Sequence, residues 1–395
     1  MPIDVDLARS LTPGTEHVAH LNNAGSALPP TPVIDAVVGY LHREAMVGGY
    51  EAEAEATGAL DSVYDSIAGM VGSHRDEIAI VESATAAWNA AFCSIAFASG
   101  DRILTGRSEY ASNAINLLLA VERYGVEIVV VDDDDTGQIS LDALGEAIDE
   151  RARLIALTHV ATGGGLVNPA AAVGRLAREA GVLFLLDACQ SVGQRPLNVG
   201  DLQCDMLSAT GRKFLRGPRG TGFLYVRAEV MDHLVPPHLD LHSATWTGPD
   251  TYEVAATARR FEEWESNRAL RLGLGAAVDH AMTWGLENIA ERTTGLAVRL
   301  RRMLADIAGV DVRDKGIDQC GIVTFTVDGV GAPDVKAVLS SEGINTSVTA
   351  ATSAQYDFPR RGLTQVVRAS PHYYNTEAEL HRLVDVVASL ARTRA

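Results

Sequence analysis

Ser208-Ala-Thr-Gly-Arg-Lys-Phe-Leu-Arg-Gly-Pro-Arg-Gly-Thr-Gly-Phe-Leu-Tyr225 decides how this chain is read. Lys213 stands among small and polar residues, with glycines behind it and the apolar run Phe223–Val226 beyond them. Turn residues on both sides, and strands before and after, predict a pocket rather than a solvated face. Burial and neighbouring cations lower an amine's pKa and free its lone pair, which is what imine chemistry requires.

The complementary stretch ends 26 residues upstream of that lysine, where the apolar run Val182–Leu186 stops at Asp187-Ala-Cys-Gln190. A strand that terminates in a carboxylate puts the acid at its C-terminal edge, where open parallel sheets hold ligands. A lysine facing an acid across such an edge suits pyridoxal 5'-phosphate: the amine holds the aldehyde, and the acid keeps the pyridine nitrogen protonated so the ring can accept electrons. Gln190, three residues past the acid, is within reach of the ring's phenolic oxygen.

The rest of the chain is read outward from this pair. From Glu77 to Val226, short apolar runs alternate with helical patterns. The runs are Ile78–Val81, Ile103–Leu104, Val126–Val131, Leu154–Thr158, Val182–Leu186, Met206–Ser208 and Gly222–Val226; helices are expected at Ala84–Ala96, Ser112–Tyr124, Leu141–Ile148 and Ala170–Ala180. This alternation predicts an α/β fold, a mostly parallel seven-stranded sheet covered by helices on both faces. Ahead of it, helices are expected over Pro32–Glu44 and Thr57–Val71, separated by Gly48-Gly49-Tyr50. Behind it, Ser243–Asp250 reads as a loop, Arg268–Gly285 as a long helix, and Leu296–Ala391 as a smaller helix–strand unit. The expected divisions are an N-terminal segment (1–19), a large cofactor-binding domain (20–260), a connecting helix (261–287) and a small C-terminal α/β domain (288–395).

Composition bounds the partners. The 395 residues are 47% hydrophobic and 21% charged, with a formal net charge of −18 and no Lys/Arg-rich run. Nucleic acid and anionic membrane are therefore not expected as partners. No apolar run approaches the ~18 residues of a membrane span. The start, Met1-Pro-Ile-Asp-Val-Asp6, lacks the basic and apolar regions of a signal peptide, so a cytoplasmic protein is expected. Cys93, Cys189, Cys204 and Cys320 are scattered and form no Cys-x-x-Cys pair, which points to buried thiols and no structural metal. The run Asp132–Asp135 before Thr-Gly reads as a solvated turn.

A phosphate group needs backbone N–H groups at a helix start, hydroxyls and a cation. Glu82-Ser-Ala-Thr-Ala-Ala-Trp-Asn89 follows a strand and opens a helix, so Ala84 and Thr85 are candidates, joined by Thr210 and Arg212 beside the lysine.

Taken together, Asp187–Gln190, Thr210–Lys213 with its trailing glycines, His159–Pro169, Val367–Ser370 and Tyr374–Thr376 resemble the class V aminotransferase family of fold-type I pyridoxal-phosphate enzymes, from about His20 to Leu390. The resemblance implies that Lys213 carries the cofactor, Asp187 pairs with its ring nitrogen, Gln190 with its phenolic oxygen, and Thr85, Thr210 and Arg212 with its phosphate. Tyr110, in Glu109-Tyr-Ala-Ser-Asn113, would stack on the ring where family desulfurases have histidine. Arg368 would grip the substrate α-carboxylate, while Asn22, Ala24, Gly25 and Thr162 would line the substrate side. The segment Arg260–Asn267, with Ser266, would reach the phosphate of a partner subunit, which implies a homodimer with composite sites.

The reaction is read from one departure. Family desulfurases carry a nucleophilic cysteine on a small-domain loop, and Asn345–Gln355 has none. The expectation is therefore β-elimination from an S-substituted cysteine, giving a thiol or sulfenate, pyruvate and ammonia. Glu44–Tyr50 and Thr210–Gly222 resemble carbon–sulfur lyases of low-molecular-weight thiol metabolism and antibiotic biosynthesis. Epimerisation, transamination and decarboxylation coupled to oxidative deamination are the alternatives; a pyridoxal-binding regulator is disfavoured, since no basic DNA-binding module is visible.

Overall fold

The chain enters through β1 (Ala19–His20) and then builds a seven-stranded sheet in the computed structural model, which describes residues 2–394. Its strands are β2 (Ile78–Val81), β3 (Arg102–Thr105), β4 (Glu127–Val130), β5 (Ala152–Thr158), β6 (Leu183–Asp187), β7 (Met206–Thr210) and β8 (Gly222–Val226), in the order β2-β8-β7-β6-β5-β3-β4. Only β8 runs against its neighbours. This is the mostly parallel α/β sheet expected, with the apolar runs in their anticipated places.

Side-chain alternation explains why both faces are covered. Ile155, Leu157, Phe184, Leu186 and Leu207 pack into one core with Tyr64, Ile67 and Val173; Leu154, Ala156, Leu185 and Met206 point into the other with Trp88, Phe92 and Leu117. Each such fully buried large side chain contributes about 1.5–3 kcal/mol. Trp88 and Phe92 stack with ring centroids 4.6 Å apart.

Three local expectations differ from what forms. The break before the second helix is confined to Gly48 at φ 102°, and the helix resumes at once over Gly49–Val71. The Glu/Ala-rich stretch 51–56 is a strong helix former and does not extend the break. Likewise only Gly285, at φ 78°, separates the helix Arg268–Trp284 from Leu286–Ala305, ten residues earlier than the expected start at Leu296. The stretch read as a loop is an exposed hairpin of β9 (Ala244–Gly248) and β10 (Thr251–Val254).

A second, antiparallel sheet follows, from β11 (Val310–Val312), β12 (Val323–Val327), β14 (Ser347–Ala350) and β15 (Gln365–Ala369), in the order β11-β12-β15-β14. It packs with Leu296, Leu300, Val335, Leu380 and Leu383 from three helices. Between β12 and β14, β13 (Ile344–Asn345) pairs in parallel with β1, which ties the entering chain to this C-terminal unit. Among the described residues no helix is long and apolar enough to cross a membrane.

Candidate active site

The C-terminal ends of β3, β5, β6 and β7 carry Thr105, Thr158, Asp187 and Thr210, and the site is built on them. Asp187 is buried. Its Oδ1 accepts from the Cys189 backbone N–H at 2.9 Å and its Oδ2 from Asn113 Nδ2 at 2.9 Å. Burial pushes its pKa up, while the Lys213 ammonium and these two donors pull it back. Lys213, also buried, leaves β7 in a tight turn in which Arg216 N–H donates to the Lys213 carbonyl at 2.9 Å and Gly217 N–H to that of Gly211 at 2.7 Å. Lys213 Nζ lies 5.8 Å from the Tyr110 ring centroid. Burial raises the pKa of the Cys189 thiol against the pull of the nearby Lys213.

Arg216 closes the turn with a left-handed φ of 65°. Its guanidinium is buried, donates to Leu28 O at 2.9 Å, Thr12 Oγ1 at 2.6 Å and Tyr373 OH, and sits 4.5 Å from the Tyr374 ring centroid. One side chain therefore joins the lysine turn, the N-terminal arm and the C-terminal unit. Sequence reasoning passed over it; its only signal was the surplus of turn residues around it.

Three of the phosphate candidates, Ala84, Thr85 and Thr210, gather at one end; Arg212 does not join them. Ser83 caps the helix Ala84–Cys93 by accepting from Ala86 N–H at 3.1 Å. A Cβ on Gly222 would stand 2.9 Å from the Ala84 nitrogen, so only glycine allows β8 to run this close to the helix start. Gly222 pairs with Thr210, whose hydroxyl donates to Thr221 O at 3.2 Å, so Ala84, Thr210 and the lysine turn are brought together. Thr85 is exposed beside them.

The opposite side belongs to the N-terminal arm and the C-terminal unit. Arg212 donates to Gly25 O, and its own carbonyl accepts from Ala27 N–H at 2.9 Å. Gln190 Nε2 donates to Ala24 O at 3.1 Å and Thr162 Oγ1 at 3.3 Å. Arg368, 7% exposed, donates to Thr162 O at 3.1 Å; burial, with Arg212 close by, lowers its pKa to about 10. Asn22 forms a bridge with Ser370. Buried atoms without a protein partner gather here: Asn22 Oδ1, Gln190 Oε1, Ser208 Oγ and Arg368 Nε. Such atoms are costly unless a ligand meets them. Two arginines, an unpartnered amide oxygen and an exposed helix start facing a buried acid and a lysine fit a phosphorylated pyridine aldehyde and an amino-acid carboxylate.

Next to Tyr110 and Thr162 lies a cavity of about 30 Å³, lined also by Gly163, Lys315, Asp357, Phe358 and Arg361. The segment 351–361 covers it. Phe358 packs so tightly that a Cβ on Gly163 would come within 3.1 Å of its ring. Lys315 Nζ pins the segment by pairing with Asp133 at 2.9 Å and Asp357 at 3.0 Å.

Ser266 does not join these residues. It lies with Tyr40, Glu53 and Arg268 on a different face of the chain. Two residues that do join were missed as chemistry: Glu109 and Asn113, four apart at a helix start, both contact the Asp187 network. Their i, i+4 spacing was a readable signal.

The model of the family Aminotransferase class-V matches residues 19–383. A probable cysteine desulfurase of Methanothermobacter thermautotrophicus is 28% identical, with 98% of each chain covered. A cysteine desulfurase of an Enterobacter species is 32% identical, covering 93% of this chain and 92% of that one. Among solved structures, the cysteine desulfurase of Thermococcus onnurineus superposes with a TM-score of 0.92 at 27% identity over 100% of this chain and 99% of that one. These likenesses overturn the expected S-substituted-cysteine lyase and the setting aside of desulfurases. Similarity along the whole chain outweighs the absence of a cysteine from one loop. Nothing found supports a place in antibiotic biosynthesis. Motifs, sheet and likenesses agree on one assignment: the chain belongs to the class V aminotransferase family and is a fold-type I enzyme that uses pyridoxal 5'-phosphate.

Proposed function

We propose that this enzyme withdraws sulfur from cysteine. The observation that carries the reading is the full-length likeness to proteins named cysteine desulfurase, 28% identical over 98% of both chains in one case and 32% over more than nine-tenths in another.

The bound cofactor supplies an electron sink that loosens bonds at the amino acid's α- and β-carbons. The chain's own residues do the rest. Lys213 anchors the aldehyde and moves the α-proton at Nζ. Asp187 holds the ring nitrogen's proton, Gln190 reaches the phenolic oxygen, and Tyr110 covers the ring. Ala84, Thr85 and Thr210 take the phosphate, whereas Arg212, turned to the Gly25 carbonyl and close to Arg368, stands on the substrate side. Arg368 receives the substrate carboxylate through its planar fork, beside Asn22, Ala24, Gly25 and Thr162. We read the active form as a homodimer: Thr85 is exposed and Ser266 lies apart from Lys213 within one chain. A partner's Arg260–Asn267 segment laid over the helix start would bring the two together.

Conversion of cysteine to alanine and sulfide needs two electrons, which a dithiol reductant supplies. Segment 345–355 offers no acceptor thiol, so the assay includes excess dithiothreitol. Cofactor-loaded protein with L-cysteine is expected to release alanine and sulfide in equal amounts, and Lys213→Ala to release neither. Pyruvate and ammonia in place of alanine would refute the desulfurase reading.

A further inference from the structure

Glu109 is buried at 6% exposure, at the start of the helix Ala111–Tyr124, and no role has been assigned to it. Its Oε2 accepts from Thr105 Oγ1 at 2.8 Å. Its Oε1 accepts from Tyr110 N–H at 2.7 Å, Asn113 Nδ2 at 2.9 Å and Thr158 Oγ1 at 2.5 Å. The second Asn113 N–H goes to Asp187 Oδ2 at 2.9 Å. Both partners of that amide nitrogen are carboxylate oxygens, so the donor end of Asn113 must face them. Two buried carboxylates are thus bridged by one amide. Thr158 and Asp187 are paired neighbours on β5 and β6, so the bridge spans adjacent strand ends.

The geometry points to Glu109 as the positioning residue of the cofactor ring: through Asn113 it fixes the carboxylate of Asp187, through the Tyr110 N–H it fixes the residue that covers the ring, and its charge adds to the negative field at the ring nitrogen. Asp187 alone has two oxygens and freedom about its side-chain torsions. With Asn113 on one oxygen and the Cys189 N–H on the other, that freedom is gone before any ligand binds. A carboxylate held ready costs no reorganisation when the cation arrives. The groups facing the pair are Lys213 and Cys189 from the sheet side and Tyr356 from segment 351–361. Burial pushes Glu109 towards the neutral form and the nearby Asp187 adds to this, while the Thr158, Asn113 and Tyr110 donors favour its charge. Lys213 offsets the charge of Asp187.

The inference rests on cofactor binding at Lys213 and not on the fate of sulfur, so its test uses no substrate. Glu109→Gln keeps the shape: the new carbonyl can accept the three donors, and the new amide can donate to a rotated Thr105 hydroxyl. It removes the charge alone. Asn113→Ala cuts the bridge and leaves the charge. Full-length apoprotein is titrated with pyridoxal 5'-phosphate, and the visible band of the loaded protein is followed against pH. Both variants are expected to bind the cofactor at least tenfold more weakly than wild type. In Glu109→Gln the midpoint of the visible transition is expected about half a pH unit or more lower, because loss of a nearby negative charge disfavours the protonated chromophore. Glu109→Asp is expected to restore part of that midpoint shift. A merely structural glutamate would lower melting temperature and leave the midpoint unmoved. Binding within twofold of wild type and an unmoved midpoint in Glu109→Gln would overturn the proposal. Were that variant insoluble, unchanged cofactor affinity in Asn113→Ala would do the same. Absence of a visible band in wild type would overturn both this proposal and the placement of the cofactor, whereas failure of the cysteine assay would leave it standing.

Discussion

The floor of the site and its rim treat charge in opposite ways. At the floor, Asp187 and Glu109 are buried acids with both oxygens of each engaged by protein donors. At the rim, Arg368 is a buried cation with one backbone acceptor and an Nε that no protein atom meets, and Arg212 stands near it. The floor is complete in the protein alone, and its geometry precedes the ligand. The rim holds two like charges together, an arrangement that an anion relieves. On the proposed reading the difference separates functions that share one cleft: the floor would set the cofactor's electronic state, and the rim would select what is brought to it.

That separation can be broken by experiment. The largest effect is expected from Asp187→Ala. Removing one member of a buried charge pair costs about 3–5 kcal/mol, so cofactor affinity should fall by about two to four orders of magnitude in an absorbance titration. Arg368→Ala should do the reverse. The lost charge-assisted bonds are worth about 2–3 kcal/mol, so KM for the amino acid should rise about 100-fold while cofactor affinity stays within twofold. Equal losses of both quantities in either variant would erase the distinction between floor and rim.

A smaller effect sharpens the floor. His159 is buried, its Nδ1 is 2.8 Å from Ser191 Oγ, and burial lowers its pKa to about 3. The unfolded chain takes that proton near pH 6.5 and the folded chain refuses it, so this residue's contribution to stability is present above pH 6.5 and is lost as pH falls from there towards 3. His159→Gln should flatten the fall in urea-measured stability by up to about 1.4 kcal/mol per pH unit across that window. The raised carboxylate Asp187 acts with the opposite sign, which is why the difference between the two proteins is the quantity to measure. The smallest effect belongs to the phosphate end: Ser83→Ala removes the cap on Ala84–Cys93 and should cost about 1 kcal/mol by denaturant titration.

Local patterns carried a large part of the fold. Runs such as Ile78–Val81 and Gly222–Val226 are short, wholly apolar and bounded by turn residues, so period and length were enough to find them as strands. The hairpin Ala244–Val254 was hidden because its strands are only five and four residues long and largely exposed, with Gly248-Pro-Asp250 between them reading as a loop. The helix Leu286–Ala305 was clipped because a single glycine was too slight a signal to mark where one helix stops and the next begins.

Sequence by itself determined the cofactor chemistry of this protein: an acid ending one strand, a lysine in a glycine-rich turn after another, and their order along the chain. Those residue types are dictated by the reaction and leave little freedom of choice. Only the tertiary structure decided the company they keep. Asn113 turning its amide between Glu109 and Asp187, Arg216 lying over Tyr374, and Phe358 closing on Gly163 join positions between 4 and 195 residues apart. Contacts between such distant positions are set by the packing of two sheets and an entering arm, which no local period encodes.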